Sequence, residues 1–533
     1  PQSITIVTND RFVDQGAQDL EDIVRYAGNV RTEVYGVDSR GDWIQARGAD
    51  MGLFIDGLRG TSGYYNTTRP AAYGIDRVEV LRGPASVLYG QGTIGGLVNV
   101  ITKRPEKSFR GEIGASYGTF DRREVFGDVT GSIDNASTLR YRLTAELRES
   151  DTQTDYVPDD RVYIAPALTL APTPRTSFTL LTSYQDDKSG STVAFLPHSG
   201  VVLPNPNGQI SFSRFVSEPG FDEYNARQAS VSLISEHKFT PRIVLRQTAR
   251  YTSSAVSYQT LYPDSYTNPL DPFIDADDRV LDRYIYVSKP KLNTFGADAN
   301  LQAGFGSRFK HTFLGGFDYS RTRQTGRSGF DLSTPINLYA PVYGNYTYPD
   351  LFDDPPVESE QYGFYIQDQV KIDNRFVVLA SVRRDHAESW TEDGAGEKQK
   401  DDATTKRIGA VYLFELDTSI AAANATFASS PGSDSFITTA TLKSLLDAGN
   451  AVILQANNDI TLNAALTLSN PSGNGGALTL QAGRSVLLNQ SIFTDNGNLT
   501  ITAAAGMAFT GLVLLIRLRA GSDRVPTEHA GQG

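Results

Sequence analysis

The chain contains no cysteine, which removes disulfide staples, thiolate metal sites and a cysteine nucleophile. Histidine is nearly as scarce: His198, His237, His311, His386 and His529 lie far apart, without the spacing of a metal-ligating set. Positive charge is the minority, with 49 Lys and Arg against 61 Asp and Glu. The net charge of −12 argues against a dedicated nucleic-acid or anionic-membrane binder, and any basic patch must be local. No stretch approaches the roughly eighteen apolar residues of a membrane helix; the longest candidate, residues 512–516, is far shorter. Barrel strands need only one apolar face, so this absence leaves a membrane barrel open. The sequence opens at Pro1 with neither Met nor a signal peptide, which reads as a trimmed or incomplete N-terminus.

What is abundant points to strands and turns: 26 Tyr, 26 Phe and 48 Gly. Residues up to about 105 read as an α+β unit. A helix is expected over residues 17–27, where Leu20, Ile23, Val24 and Ala27 share a face and Gly28 stands at the stop. Strands are expected at residues 52–55, 75–81 and 97–102. From about 109 to 414 the pattern becomes a two-residue alternation. In residues 141–148, Tyr141, Leu143, Ala145 and Leu147 alternate with Arg142, Thr144, Glu146 and Arg148. Some links are short, such as 133–137, and others long and acidic, such as 263–282 and 348–360. Short turns on one side and long loops on the other suit an outer-membrane barrel, whereas alternation alone also suits a soluble sandwich or propeller.

Gly90-Gln-Gly-Thr-Ile-Gly95 has the letters of a dinucleotide fingerprint. The fingerprint needs a helix after the glycines, but residues 96–102 are β-branched and read as a strand, so the glycines are assigned to a tight turn with positive φ. The acidic runs 264–282 and 350–360 lack the EF-hand order of ligands and read as solvated loops. No nucleophile elbow, zinc-protease helix or phosphate loop is present, so no enzyme is expected.

The run Tyr73-Gly-Ile-Asp-Arg-Val-Glu-Val-Leu-Arg-Gly-Pro-Ala-Ser-Val-Leu-Tyr-Gly-Gln-Gly-Thr-Ile-Gly-Gly-Leu-Val-Asn-Val-Ile-Thr-Lys-Arg-Pro105 closely resembles the plug signature of TonB-dependent siderophore receptors. Pro1-Gln-Ser-Ile-Thr-Ile-Val-Thr8, Asp19-Leu-Glu-Asp22 and Arg47-Gly48 with Ile55-Asp-Gly57 are similar to earlier plug motifs of that family. Gly363-Phe-Tyr-Ile-Gln-Asp-Gln-Val370 and Arg407-Ile-Gly-Ala-Val-Tyr-Leu-Phe414 are similar to its barrel strands. The resemblance implies a plug inside a roughly 22-stranded outer-membrane barrel. It also implies binding and import of a ferric siderophore, with no resident cofactor because the iron travels within the ligand. The implied partners are the siderophore, outer-membrane lipid and the TonB energy-coupling protein, whose box would precede Pro1. For the ligand, the resemblance points to the plug apex loop, residues 59–69. There Arg59 offers a charged donor fork, Tyr64 and Tyr65 offer ring faces and hydroxyls, and Asn66 adjoins them. Tyr65 matches a ligand-contacting aromatic of hydroxamate-type receptors; the alternative is a loop whose tyrosines pack on the barrel wall. Glu79 and Arg82 are candidates for plug–barrel contact or for an ordinary surface ion pair.

The resemblance breaks in two places. At about 25 residues per strand and connection, residues 109–414 supply only about a dozen strands. After residue 415 Tyr and Trp vanish, and Ala451-Val-Ile-Leu-Gln-Ala456, Ala477-Leu-Thr-Leu-Gln-Ala482 and Asn498-Leu-Thr-Ile-Thr-Ala503 repeat. These repeats, preceded by residues 436–446, resemble those of filamentous-haemagglutinin-like adhesins. The expected fold class is therefore mainly β: an α+β plug (1–107), an incomplete outer-membrane antiparallel β-barrel (108–415), a short β-helix-like segment (416–505) and an unassigned tail (506–533). The chain reads as a truncated or chimeric siderophore receptor. The alternatives are a surface or secreted β-helical adhesin, or a receptor for cobalamin, haem or glycan.

Overall fold

Leu20, Ile23, Val24 and Ala27 are all buried, as their shared face requires, but the helix that carries them is only Leu20–Val24. Asp19 caps it by accepting from the Asp22 amide at 2.8 Å. The chain leaves the helix in a tightened turn, with the Ala27 amide donating to the Val24 carbonyl. The computed structural model describes residues 3–60, 65–83, 89–90, 94–373, 376–392, 398–412, 438–456, 459–462, 464–471, 473–482, 485–488 and 490–503. They fall into two units divided between Tyr412 and Leu413.

In the first unit, five plug strands form one sheet in the order Ser3–Thr8, Ile75–Arg82, Gly96–Thr102, Gly52–Ile55, Leu58–Arg59. The two central strands alternate β-branched residues, and Val78, Val80, Val98 and Val100 pack with Phe12, Leu20 and Ile23 into a small apolar core. Phe12 comes from a second short helix, Asn9–Asp14, that periodicity did not reveal. The strand Gly96–Thr102 follows the glycine cluster as expected, and Gly90 holds a φ of +73°. Residues 91–93 of that cluster lie outside the described residues.

Around the plug runs a thirteen-stranded antiparallel sheet from Arg110–Tyr117 to Gln399–Tyr412. Val280–Ser288 and Lys291–Phe305 both lie between Ile243–Pro263 and Phe309–Asn337, so they are one pass interrupted at Pro290, which has no N–H to donate. The wall thus makes about a dozen passes, the number the length allows.

Its faces decide between the two readings of alternation. In the strand Leu139–Glu149, Arg142, Thr144, Glu146 and Arg148 are 6% exposed or less, whereas Leu143 is 40% and Leu147 56% exposed. The charged row points inward and the oily row outward, and the same inversion places Phe317, Phe364 and Ile366 outside and Arg383 and Asp385 inside. A soluble sandwich buries the opposite face; an outer-membrane barrel turns its apolar side to lipid.

The acidic run 350–360 is not all loop, because a strand begins at Phe352 and ends at Ile372. Its acids are paired across the sheet: Arg323 lies 3.2 Å from Glu358 and Arg327 3.0 Å from Asp353. Pro355 and Pro356 fall where the register shifts, a place that tolerates missing N–H donors. The run 264–279 does form a loop between strands.

In the second unit a helix, Thr439–Asp447, is capped by Thr438 and precedes short strands that pair in parallel. Val452, Leu478 and Leu499 share one register, so the repeats stack repeat upon repeat as in a β-helix. Leu442 and Leu446 of the helix pack on Val452, Leu466 and Leu478. Residues 504–533 lie outside the described residues.

Candidate functional site

The apex of the plug is built by a hairpin and the segment after it. Phe54 pairs with Arg59 and Ile55 with Leu58 around Asp56-Gly57, both at positive φ, as a two-residue type I′ turn requires. Arg59 leaves this hairpin exposed. Tyr64 lies outside the described residues, and the chain resumes at Tyr65.

Tyr65 is packed rather than free. Its ring sits 5.1 Å from Tyr258 and 6.0 Å from Tyr224 of the wall, and 6.0 Å from Trp43 of the plug. The Arg40 guanidinium lies 4.4 Å over the same ring. The Tyr65 hydroxyl donates to Asp38 Oδ2 at 3.3 Å. Asp38 also accepts from Arg40 Nε at 2.8 Å and Trp43 Nε1 at 3.0 Å. Burial opposes the charge on Asp38, but Arg40 outweighs it and holds the carboxyl below its ordinary range. Asn66 donates to Gln324 Oε1 at 3.0 Å, and its carbonyl accepts from Ser254 Oγ at 2.7 Å.

Two cavities meet at this apex. One of about 320 Å³ is bounded by Arg59 and Asn66 of the plug and by Thr322, Gln324, Ser359 and Gln361 of the wall. The other, of about 370 Å³, reaches Arg40, Trp43, Tyr65 and Arg69. Arg59 lines both. Hydroxyls, amides and guanidinium groups supply donors for a ligand rich in oxygen, with aromatic surface on one side.

Beneath the apex, Arg69 Nη2 lies 2.7 Å from both Asp19 and Asp42 and 4.0 Å from Glu21. Glu21 Oε1 accepts from the amides of Glu33 and Trp43. Burial and the neighbouring Asp42 nevertheless push Glu21 up to about 8.

The plug meets the wall through polar groups that periodicity did not single out. Arg250 Nη2 lies 2.7 Å from Asp56 Oδ2, Gln185 donates to the Arg69 carbonyl, Tyr224 to the Thr67 carbonyl, and Arg40 to Tyr258 Oη. Asp56 belongs to the Ile55-Asp-Gly57 motif, a signal available in the sequence; nothing local marks Arg250 or Asp38. The described partners of Glu79 and Arg82 lie within the plug: Glu79 accepts from Arg77 and Asn99, and Arg82 donates to Thr5 Oγ1 and the Gly28 carbonyl.

Residues 1–97 match the TonB-dependent receptor plug domain, and residues 166–478 match the TonB dependent receptor-like beta-barrel. The ferrichrome outer membrane transporter/phage receptor of Escherichia coli K12 is 29% identical over 442 residues, 78% of this chain and 59% of its own length. The ferrioxamine B receptor of Salmonella typhimurium is 29% identical over 426 residues, with the same coverage of 78% and 59%. Among solved structures, the ferripyoverdine receptor of Pseudomonas aeruginosa aligns with a TM-score of 0.67 at 20% identity, covering 78% of this chain and 55% of that one. The ferric preacinetobactin receptor of Acinetobacter baumannii aligns with a TM-score of 0.67 at 15% identity, covering 78% and 62%. The chain spans 59% of the length of the two curated relatives. Plug, inverted wall and both family matches lead to one assignment: the chain belongs to the TonB-dependent receptors, β-barrel proteins of the bacterial outer membrane.

Proposed function

We propose that this chain is part of a receptor that binds a ferric siderophore at the plug apex and imports it by TonB-dependent energy coupling. The observation that carries the reading is the seating of the plug. It has its own apolar core but meets the wall through ion pairs and hydrogen bonds such as Arg250–Asp56 and Gln185–Arg69. Water can replace such contacts one at a time, so a pull on the plug can rearrange it without opening a dry core.

Arg59, Tyr64, Tyr65 and Asn66 are the proposed ligand contacts. Arg59 supplies charged donors at the junction of the two cavities and Asn66 an amide, while Tyr65, whose hydroxyl proton is given to Asp38, supplies ring surface to the second cavity, and Tyr64 is included for its ring and hydroxyl as a residue type. Glu79 and Arg82 are proposed to act by holding the plug's own strands in place. The ferrichrome and ferrioxamine names of the relatives favour a hydroxamate cargo over cobalamin, haem or glycan. Mechanistically this is binding and gated passage, with no covalent step.

We propose residues 1–107 as the plug, 108–415 as a partial barrel and 416–505 as adhesin-like β-helix repeats, with 506–533 unassigned; the barrel family match runs on to residue 478 and overlaps the proposed repeats. The parallel ladder of Val452–Ala456, Leu478–Ala482 and Leu499–Ala503 favours a second reading for that region, a surface or secreted adhesin. Fractionation separates the two, since a receptor remains heat-modifiable in the outer membrane and an adhesin is shed or extractable. Cells making the chain should bind radiolabelled ferric siderophore of at least one type. Absence of binding across hydroxamate, catecholate and carboxylate types would sink the receptor reading.

A further inference from the structure

Although the chain has a net charge of −12, the short-turn end of the wall carries exposed cations. Two tight turns there are built alike, residues 173–175 and 240–242 both reading Thr-Pro-Arg, and a third, residues 306–308, reads Gly-Ser-Arg. Each arginine directly precedes the next strand. Thr173 Oγ1 accepts from the Arg175 amide and Thr240 Oγ1 from the Arg242 amide, both at 3.2 Å. Their carbonyls then accept from the backbone of a neighbouring hairpin, Arg175 from Lys238 at 2.8 Å and Arg242 from Gly304 at 2.7 Å. The backbone is fixed while all three guanidinium groups stay exposed. Among the described residues Arg175 and Arg242 make no ion pair, and Arg308 reaches Asp373 at 3.3 Å, both side chains remaining more than half exposed.

Within three residues of each arginine the wall exposes an aromatic ring, and the Arg308 guanidinium lies 5.8 Å from the centre of the Phe309 ring. Phe178 follows Arg175 and is 42% exposed, Phe239 precedes Arg242 and is 51% exposed, and Phe305 and Phe309 flank Arg308 at 52% and 50%. Short turns of an outer-membrane barrel face the periplasm, and strand ends that carry aromatic girdles lie at the membrane interface. The arginines therefore sit at the level of inner-leaflet headgroups, with rings beneath them at the level of the upper acyl chains.

We propose that this rim is a binding surface for anionic phospholipid. Each guanidinium presents paired donors that fit a phosphodiester, and the adjacent phenyl group covers the start of the acyl chain. Zwitterionic lipid carries the same phosphate, but its ammonium cancels the long-range attraction, so the surface discriminates by net headgroup charge.

The test is native mass spectrometry of the full chain, extracted from outer membranes in mild detergent and titrated with phosphatidylglycerol or phosphatidylethanolamine. Phosphatidylglycerol should bind preferentially, and R175Q/R242Q/R308Q should lower that preference by roughly fivefold per side chain. R175K/R242K/R308K should retain most of it, and R279Q/R327Q at the long-loop end should leave it unchanged. Equal uptake of the two lipids by the unaltered chain would overturn the proposal, as would an unchanged preference in the glutamine variant. Binding of polyglutamate without selection for phosphatidylglycerol would overturn it in favour of an acidic protein partner. If the glutamine variant fails to reach the membrane, the unaltered chain decides. Its preference should weaken as ionic strength rises, and insensitivity to salt would count against an electrostatic headgroup site.

Discussion

Arg250 of the wall grips Asp56 of the plug across 194 residues of sequence, with Nη2 2.7 Å from Oδ2 and Nη1 donating to the neighbouring Ile55 carbonyl. The Asp56 side chain is fully buried and Arg250 is 11% exposed. Asp56 also accepts from the amide and hydroxyl of Thr102, so one carboxylate ties the hairpin, the central plug strand and the wall together.

Removing Arg250 leaves that carboxylate buried with neutral donors and the more distant Arg104. R250A should cost about 3 kcal/mol of plug retention. Asp56→Asn should recover part of the loss in the double variant, because the stranded charge is then gone. Hydrogen exchange of residues 52–59 in the four proteins of the cycle measures it, and strictly additive effects would show that the pair is not coupled.

Glu21 gives the plug a pH dependence of defined sign. Its carboxyl is raised from the ordinary 4.5 to about 8 in the folded chain, so the folded state holds a proton that the unfolded state releases. The stabilising contribution is complete below about pH 4.5 and is lost as pH rises through about 8. Asp42, raised by its own burial, adds to the same slope, whereas Asp19, lowered by Arg69 against its burial, acts with the opposite sign only in acid below its ordinary 3.8 and leaves the slope above about pH 5 unchanged. Glu21→Gln keeps an acceptor for the Glu33 and Trp43 amides and removes the titration. Urea unfolding between pH 5 and 8 should show a shallower decline for this variant, and identical slopes would refute the assignment.

The outward row of Leu139–Glu149 should resist charge. Leu143→Arg places a cation on the lipid face and should cost about 2 to 4 kcal/mol when the chain is folded into vesicles. Thr144→Ser, one residue away on the plug-facing side, should cost far less. Equal tolerance at both positions would mean that the wall does not face lipid as described.

Gly96 should accept no side chain. Its φ is +113°, and a Cβ there would lie 2.0 Å from the Leu81 carbonyl oxygen, so Gly96→Ala must push apart the two central plug strands. Loss of plug protection from protease, with the wall still heat-modifiable, is the expected result; a protected plug would remove this constraint from the account.

The sequence revealed strands better than their surroundings. Residues 141–148 announced a two-faced strand, but a period of two does not say which face meets water, and only the inward burial of Arg142 and Arg148 settles it. The segments 52–55, 75–81 and 97–102 were legible because β-branched runs are bounded by glycine turns. The acidic stretch from Asp353 to Glu358 reads as loop in the sequence because its compensating Arg323 and Arg327 lie on a neighbouring strand, beyond any local window. The helix Asn9–Asp14 buries only Phe12 and so offers no repeat to detect. At the site, Tyr65 and Asn66 were legible by resemblance, whereas the wall residues that meet them, Tyr224, Tyr258, Ser254 and Gln324, are contacts of tertiary structure alone.

The most direct test of the account is equilibrium binding of radio-iron siderophores to purified outer membranes containing this chain, compared with the same membranes carrying Arg59→Ala or Tyr65→Ala. Saturable binding of a ferric hydroxamate, weakened roughly tenfold or more by either substitution, is the predicted result. Affinity unchanged by both substitutions would contradict the apex as the binding site, and no saturable binding of any ferric siderophore would contradict the receptor itself.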